Sequence, residues 1–567
     1  MTKTRTKICQ NCKAKFVIEP EDFEFYKKIN VPEPSFCQEC REQRRIAFRN
    51  ERALYKRKCD LCGKVVVSRV SSDKLYLMYC KKCWWSDKWD GLEYGKDYDF
   101  KRPFFEQFRE LLFSAPHVSI LNANTVNSDW VNQESDDKNC YLNVGGHFNE
   151  DSAYNTYEVY GKDCFDNFWL FKSELCYENI NCENCYQVLF SQNCSGCHNV
   201  ALCYDCRNCQ NCFGCAGLRH KKYHIFNKPY SKKDYQEFLR NNSLESYKNL
   251  RTLKQRTKKI WLSVPHRDVS IVKSVNSWGN SINESKNAKN CWQADKVEDS
   301  KHLYITAWLK DCYDCSSFGS GELCYEVAHS MGLYNSKFLL FIMGGASAEK
   351  IHSSDLEYCY AVVTSHNCFG CANLRNQEYC ILNKRYSKEE YETLLPKIKK
   401  HMEEMPYKDK KGRIYRYGEF FPIEFSPFGY NETAAQDYYP LTKEQALKLG
   451  ANWSDYESKI KHKFSDYKIP DDIKDVKDDI LTEILKCKKT GKAYKIIPME
   501  LKFYRKMGLS IPRICPLQRH KNRLAMLSSR RLYQRKCAKC KKEIQTTYTP
   551  DRPEIVYCEE CYLKEVG

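Results

Sequence analysis

Cys203-Tyr-Asp-Cys206-Arg-Asn-Cys209-Gln-Asn-Cys212-Phe-Gly-Cys215 puts a cysteine at every third position, five in a row. Around this run the spacing widens but stays regular. Cys140, Ser152, Cys164 and Cys176 step by twelve, and Cys176, Cys185, Cys194, Cys203 and Cys212 step by nine. Equal short steps of small, weakly polar residues predict the stacked coils of a β-solenoid, in which each coil sets the same residue type at the same corner. Asn precedes Cys at 139, 181, 184, 193, 208, 211, 290 and 367. Asn tolerates left-handed backbone and forms hydrogen-bonded ladders, so it suits corners. A sulfur every three residues is denser than a four-thiolate metal site needs. These thiols are therefore read as small buried hydrophobes, with a zinc or Fe–S site as the alternative.

The same text recurs downstream. Asn211-Cys-Phe-Gly-Cys-Ala216 returns as Asn367-Cys-Phe-Gly-Cys-Ala372, Glu174-Leu-Cys-Tyr-Glu178 as Glu322-Leu-Cys-Tyr-Glu326, and Tyr230-Ser-Lys-Lys233 as Tyr386-Ser-Lys-Glu389. The middle of the chain thus divides into residues 118–260 and 266–405, two solenoid repeats. Each closes with a helix started by a capping box, Ser231 with Asp234 and Ser387 with Glu390. Tyr235, Phe238 and Leu239, and then Tyr391, Leu394 and Leu395, would cover the open end of each repeat. The flanking connectors, residues 91–117 and 406–480, carry Pro103-Phe-Phe105 and Phe420-Phe-Pro-Ile-Glu-Phe425. Flexible linkers are not this aromatic, so both are expected to strap the ends onto the repeats.

The ends, residues 1–90 and 481–567, are a second duplication. Adding 478 to Cys9, Cys37, Cys59, Cys62, Cys80 and Cys83 gives Cys487, Cys515, Cys537, Cys540, Cys558 and Cys561 without a gap. Two Cys-x-x-Cys knuckles make the closed four-thiolate geometry of structural zinc. Sequential pairing predicts three occupied ribbons: Cys9, Cys12, Cys37, Cys40; Cys59, Cys62, Cys80, Cys83; and Cys537, Cys540, Cys558, Cys561. In the fourth ribbon Thr490 and Gln518 replace two ligands. Sequential pairing puts both losses in one site, leaving Cys487 and Cys515 in a degenerate ribbon held by Tyr494, Ile496, Leu501 and Tyr504. About three Zn²⁺ per chain follow, with Fe–S as the competitor.

The formal charge is +19. Residues 1–90 contribute +9 and residues 481–567 contribute +13, leaving −3 for the middle. A basic excess confined to both ends points to a polyanionic partner for those ends. Between the first two ribbons, Arg41, Arg45, Arg49, Arg52 and Lys56 fall on one helical face. Arg519, Lys521, Arg523, Arg530, Arg531, Arg535 and Lys536 occupy the related stretch of the second copy. With Tyr55 and Trp84 nearby, this face suits phosphate contact and base stacking. RNA or a ribonucleoprotein is the partner expected, ahead of DNA. The alternative is a solvated helix paired with Glu42 and Glu51.

Phe23-Glu-Phe-Tyr26, Phe48-Arg-Asn-Glu-Arg52, Leu54-Tyr-Lys-Arg57 and Ser426-Pro-Phe-Gly-Tyr-Asn-Glu-Thr433 resemble a group of zinc-ribbon, cysteine-rich proteins of candidate-phylum bacteria. The resemblance implies architecture rather than chemistry, and Thr490 and Gln518 depart from its paired-ligand pattern.

The expected class is therefore multi-domain and mainly β: zinc ribbons with basic linker helices at both termini flanking a duplicated Cys-rich solenoid. No apolar run long enough to span a membrane is present. Met1–Cys9 is basic and polar, and 34 cysteines, many of them in Cys-x-x-Cys pairs, favour a reducing, cytoplasmic setting over disulfides. The function expected is a non-enzymatic, nucleic-acid-binding zinc scaffold. A β-helix enzyme acting on a polysaccharide would need paired carboxylates, for which Asp136, Asp137, Asp163 and Asp166 are nominees without a defining spacing. A thiol redox or metal-handling protein is the third reading. No Walker-type glycine loop and no Cys–His catalytic signature occur.

Overall fold

A computed structural model describes residues 4–295, 297, 326, 353–456 and 463–566. The chain forms two compact units, each assembled from two separated stretches. Met1–Leu121 folds with Ser270–Tyr456, and Asn122–Val269 folds with Glu457–Gly567. Each basic end is thus housed with the more distant copy of the central duplication. The two duplications are interleaved, and a linear reading of domains along the chain does not anticipate it.

In the second unit the chain returns over itself every twelve residues. Parallel pairings link Asn122 to Glu134, Thr156 to Phe168, Phe168 to Ile180, Tyr186 to His198, His198 to Gln210 and Gln210 to Lys222. The generating unit is smaller still. Every third residue from Gln133 to Phe226 has positive φ, between 44° and 75°. Asn, Asp and Gly accept this backbone most easily, yet Tyr, Phe, Leu and Trp adopt it here too. The residue after each such corner points inward and is buried from Glu134 to Cys215. All the cysteines from Cys140 to Cys215 fall at this inward phase.

Twelve is the repeat throughout this unit, and the nine-residue step has its own physical meaning. Apart from Cys206, each inward thiol lies against the carbonyl two residues back and the carbonyl nine residues ahead. For Cys197 these are Ser195 O at 3.5 Å and Cys206 O at 3.3 Å. Inward Asn residues work the same way. Asn155 Oδ1 accepts the Asn167 N–H (2.8 Å), and its Nδ2 donates to the Cys164 carbonyl (2.8 Å). Backbone groups in the interior are thereby satisfied without water. The interior changes character along the stack. It begins with Glu134, Asp137, Asn143, Asn149, Asn155 and Glu158, and ends in a sulfur-lined core from Cys164 to Cys215. Outward Asn pairs also ladder, as at Asn181 to Asn193 (3.2 Å).

The stack ends in an antiparallel hairpin, Lys222–Ile225 with Lys228–Pro229. Ser231 Oγ then caps helix Lys232–Asn241, whose Tyr235 and Phe238 cover Phe213 and Phe226. The first unit repeats the plan over Ser354–Glu357, His366–Phe369 and Glu378–Ile381, again in steps of twelve. Its earlier strands, Ile271–Val272 and Trp278–Asn283, step by eleven and shift at Gly279. Of the repeated segment Glu322–Glu326, only Glu326 lies within the described residues. A full capping box at Ser387 and Glu390 starts helix Lys388–Glu404.

The aromatic connectors are packed in the first unit. Helix Phe104–Ser114 seats Phe104 against Tyr358 (5.2 Å between centroids) and Phe369 (5.1 Å), and Phe108 against Phe421 (4.9 Å). Each such ring contributes about 1.5–3 kcal/mol by burial, enough for a few to hold a strap in place. Twelve α-helices among the described residues accompany open sheets of two, three, four and eight strands. The class is accordingly mixed α/β, which corrects the expectation of a mainly β chain. Helices supply the caps, straps and ribbon supports that cover the short sheets.

Candidate metal centres

All four ribbons share one local construction. A two-stranded hairpin carries the first knuckle in its turn. The first cysteine's N–H bonds a carbonyl five residues on, and its carbonyl accepts from the residue four on, which has positive φ. In the second ribbon these bonds are Cys59 N to Lys64 O and Gly63 N to Cys59 O, both 2.8 Å. Lys13, Gly491 and Lys541 hold the place of Gly63 in the others. The second knuckle opens a helix: Cys37 precedes Gln38–Ile46, Cys80 precedes Lys81–Trp84, and Cys515 precedes Pro516–Leu524. A helix N-terminus offers N–H groups and a positive dipole end to thiolates.

Three of these ribbons bring four sulfurs within 4.8 Å of one another: Cys9, Cys12, Cys37, Cys40; Cys59, Cys62, Cys80, Cys83; and Cys537, Cys540, Cys558, Cys561. The grouping is sequential. Two sulfurs in each are buried, one is half-buried and one exposed. Across the two knuckles, Cys12 and Cys37 sulfurs lie 3.6 Å apart, Cys62 and Cys80 3.9 Å, and Cys540 and Cys558 3.8 Å. The Cys59 sulfur accepts the Cys80 N–H (3.2 Å), and the Cys537 sulfur accepts that of Cys558 (3.3 Å). Burial pushes the Cys537 thiol up, but N–H groups of Cys558, Cys540 and Lys539 outweigh it and bring it down to about 6. The donor set fits a single four-coordinate ion.

The fourth ribbon keeps the backbone and loses the ligands. Thr490 Oγ1 lies 3.9 Å from the Cys515 sulfur, where Cys12 sits beside Cys37 in the first ribbon. Gln518 donates instead to Asn522 Oδ1 at 2.9 Å. Packing holds this ribbon: Tyr494, Ile496, Leu501 and Tyr504 are all buried in one cluster with Cys487 and Cys515.

The arginine stripe is a different matter. Arg41, Arg45, Arg49, Arg519 and Arg523 are buried, and so is Arg44, which the stripe omitted. Arg41 donates to Phe36 O (2.7 Å), and Arg49 pairs with Glu51 (2.8 Å). Arg44 pairs with Glu326 (3.1 Å) and lies over the Phe36 ring (4.4 Å), while Arg45 stands 3.8 Å from Glu326. Arg519 meets Asp166 and Glu500, each at 3.0 Å, and Arg523 meets Asp166 at 3.0 Å. Burial opposes the charge on Arg519, but Asp166, Tyr504 and Glu500 outweigh it and hold the guanidinium protonated. The face expected to meet phosphate is instead an internal seam between each ribbon helix and its unit. The single helical face expected from Arg41 to Lys56 does not form: the helix spans Gln38–Ile46, and Lys56 lies on strand Tyr55–Lys58. Of the partner acids, Glu51 and Glu500 are near in sequence, whereas Glu326 and Asp166 lie hundreds of residues from Arg45 and Arg519.

Tyr55 and Trp84 are likewise committed. Tyr55 donates to Glu432, and Trp84 is fully buried with its indole N–H on Pro116 O (3.0 Å). Of the remaining candidates, Lys56, Lys521, Arg531 and Lys536 are exposed, whereas Arg52, Arg530 and Arg535 are half-buried. Among the nominated carboxylates, Asp137 and Asp166 are buried, Asp163 pairs with Lys506 (2.9 Å), and Asp136 accepts from Asn124 (3.0 Å). They form no open acid pair.

No protein-family model matches the chain, and no curated protein matches it. No described helix is long and apolar enough to cross a membrane.

Proposed function

We propose that the protein is a zinc-bound scaffold of two β-solenoid units that holds RNA, or a ribonucleoprotein, through exposed cations near its ribbons. The observation that carries the metal half is the sulfur spacing. A tetrahedral ion with Zn–S bonds near 2.3 Å requires sulfurs about 3.8 Å apart, and the three groups have contacts of 3.6, 3.9 and 3.8 Å. A multi-iron cluster would interpose irons and sulfides and needs wider spacing. The solenoid reading rests on the twelve-residue parallel registers and the three-residue corner rhythm.

Charge distribution supports the nucleic-acid half, since the basic excess stays at the two ends even after the buried arginines are set aside as neutralised. Lys56, Lys521, Arg531 and Lys536 remain as the contacts. The test is a salt titration of binding to a uridine-rich oligonucleotide. Logarithmic affinity should fall with logarithmic salt by roughly 0.7 per phosphate contact, and Lys536→Gln and Lys56→Gln should each lower the slope by about that much. Absence of salt-dependent binding defeats this reading. Metal analysis should return three zinc ions per chain without visible absorbance.

A further inference from the structure

A cavity of about 310 Å³ in the second unit is lined by Arg207, Asn208, Arg219, His220, Arg267 and Tyr562, among others. Its parts come from three places. Arg207 and Arg219 are partners on successive coils of the stack. Arg267 lies on strand Pro265–Arg267, which pairs with Ile555–Tyr557 of the third metal-binding ribbon. Tyr562 follows ligand Cys561 directly, on helix Glu559–Val566.

Two guanidiniums directly opposite on a ladder repel, and such pairs destabilise a sheet unless something neutralises them. Only part of that neutralisation is built in. Asp205 takes Arg219 (3.0 Å), and Tyr562 donates to the same carboxylate while its oxygen also receives an N–H from Arg219 (2.9 Å). Glu559, itself more than half exposed, takes Arg267. Arg207 is exposed and has no carboxylate within ion-pair distance among the described residues. Asp268 also stands within electrostatic reach of Arg267, so Arg207 is the wall's arginine without a close carboxylate. The Asp205–Arg219–Tyr562 contacts fix one guanidinium in place, which lowers the ordering cost for an incoming anion. Planar guanidinium forks match the oxygens of a phosphate in bidentate fashion, and the cavity is at the lower end of the size range for small-molecule sites.

The geometry points to a phosphate-binding pocket at the seam between the first coil stack and the third metal-binding ribbon, with Arg207 and Arg267 gripping the phosphate and Arg219 set behind them. The inference deepens the nucleic-acid reading by naming a phosphate contact away from the arginine helices. The same chemistry serves a backbone phosphate or a free phosphate monoester.

The experiment titrates the full-length, metal-loaded protein at low salt with inorganic phosphate, with uridine monophosphate and with a uridine oligonucleotide, using calorimetry. Arg207→Gln and the Arg207→Gln/Arg267→Gln pair are compared with Lys502→Gln, which is exposed and neither lines the cavity nor belongs to the proposed nucleic-acid contacts. Saturable binding weakened at least tenfold by Arg207→Gln and further by the pair, with Lys502→Gln unchanged, supports the pocket. If phosphate and the monophosphate bind this way and the oligonucleotide does not, the pocket stands and the RNA reading falls. If the oligonucleotide binds equally well to wild type and to both Arg207 variants, the RNA reading stands and the pocket is overturned. No saturable binding of any of the three also overturns it. Arg207 is exposed, so its variant is expected to fold, and an unchanged melting curve checks this.

Discussion

Replacing Arg519 with Met separates a structural arginine from a ligand-facing one. The guanidinium is fully buried and stands 3.0 Å from both Asp166 and Glu500, whose side chains are also fully buried. Met keeps the stem volume and removes the charge. Asp166 would retain Arg523, and Glu500 would retain the hydroxyls of Tyr154 (3.1 Å) and Tyr504 (2.7 Å). One buried carboxylate is still left without its cation, and breaking such a pair costs about 3–5 kcal/mol. At roughly 2–4 °C per kcal/mol for a unit of this size, the melting transition should fall by about 6–20 °C. Calorimetry on the full chain reads it, with exposed Lys521→Ala expected within about 0.5 kcal/mol of wild type. Adding Glu500→Gln to Arg519→Met should recover part of the loss, because the stranded charge is gone. A cost below about 1 kcal/mol, accompanied by weaker oligonucleotide binding, would refute the burial argument and return Arg519 to a solvent-facing role.

Metal removal should act on three sites only: Cys62→Ser should lower the zinc content from three to two per chain, whereas Cys487→Ser should leave it at three, as measured by elemental analysis. Burial, and then the neighbouring Asp137 carboxylate, push Glu134 and Glu158 well above the usual carboxylate range. Their folded values exceed the unfolded ones, so the protonated fold is favoured and stability falls as pH rises from about 4.5 through the folded values. Glu158→Gln should flatten that decline and raise the melting temperature at pH 7, and a steeper decline would contradict the assignment. Gly161 faces the interior, where a methyl group would overlap the hydrogen-bonded Glu158 carboxylate. Gly161→Ala should therefore cost about 1–3 kcal/mol in denaturant unfolding, and the cost should shrink in a Glu158→Ala background.

The ribbons were legible because their chemistry is local. A Cys-x-x-Cys knuckle needs four residues, one left-handed position and a following helix, and in the first ribbon all of these lie between Cys9 and Ile46. The loss of two ligands at Thr490 and Gln518 was legible for the same reason, as were the caps at Ser231 and Ser387. The stack was half legible. Spacings of nine and twelve both mark the inward phase, but only the registers show that twelve is the coil and nine is a thiol reaching a carbonyl of the next one. The underlying step of three showed in the sequence only at Cys203–Cys215, because most corner positions are not Asn or Gly.

By itself the sequence determined the knuckles, the two duplications, the capped helices and the location of the basic charge, since each depends on neighbours along the chain. Only the tertiary structure decided where that charge goes. Arg45 meets Glu326, and Arg519 meets Asp166 and Glu500. A charged helical stripe looks the same on paper whether it faces water or a buried acid. The difference is set by desolvation and pairing across long sequence distances, and those are properties of the packed units rather than of the helix.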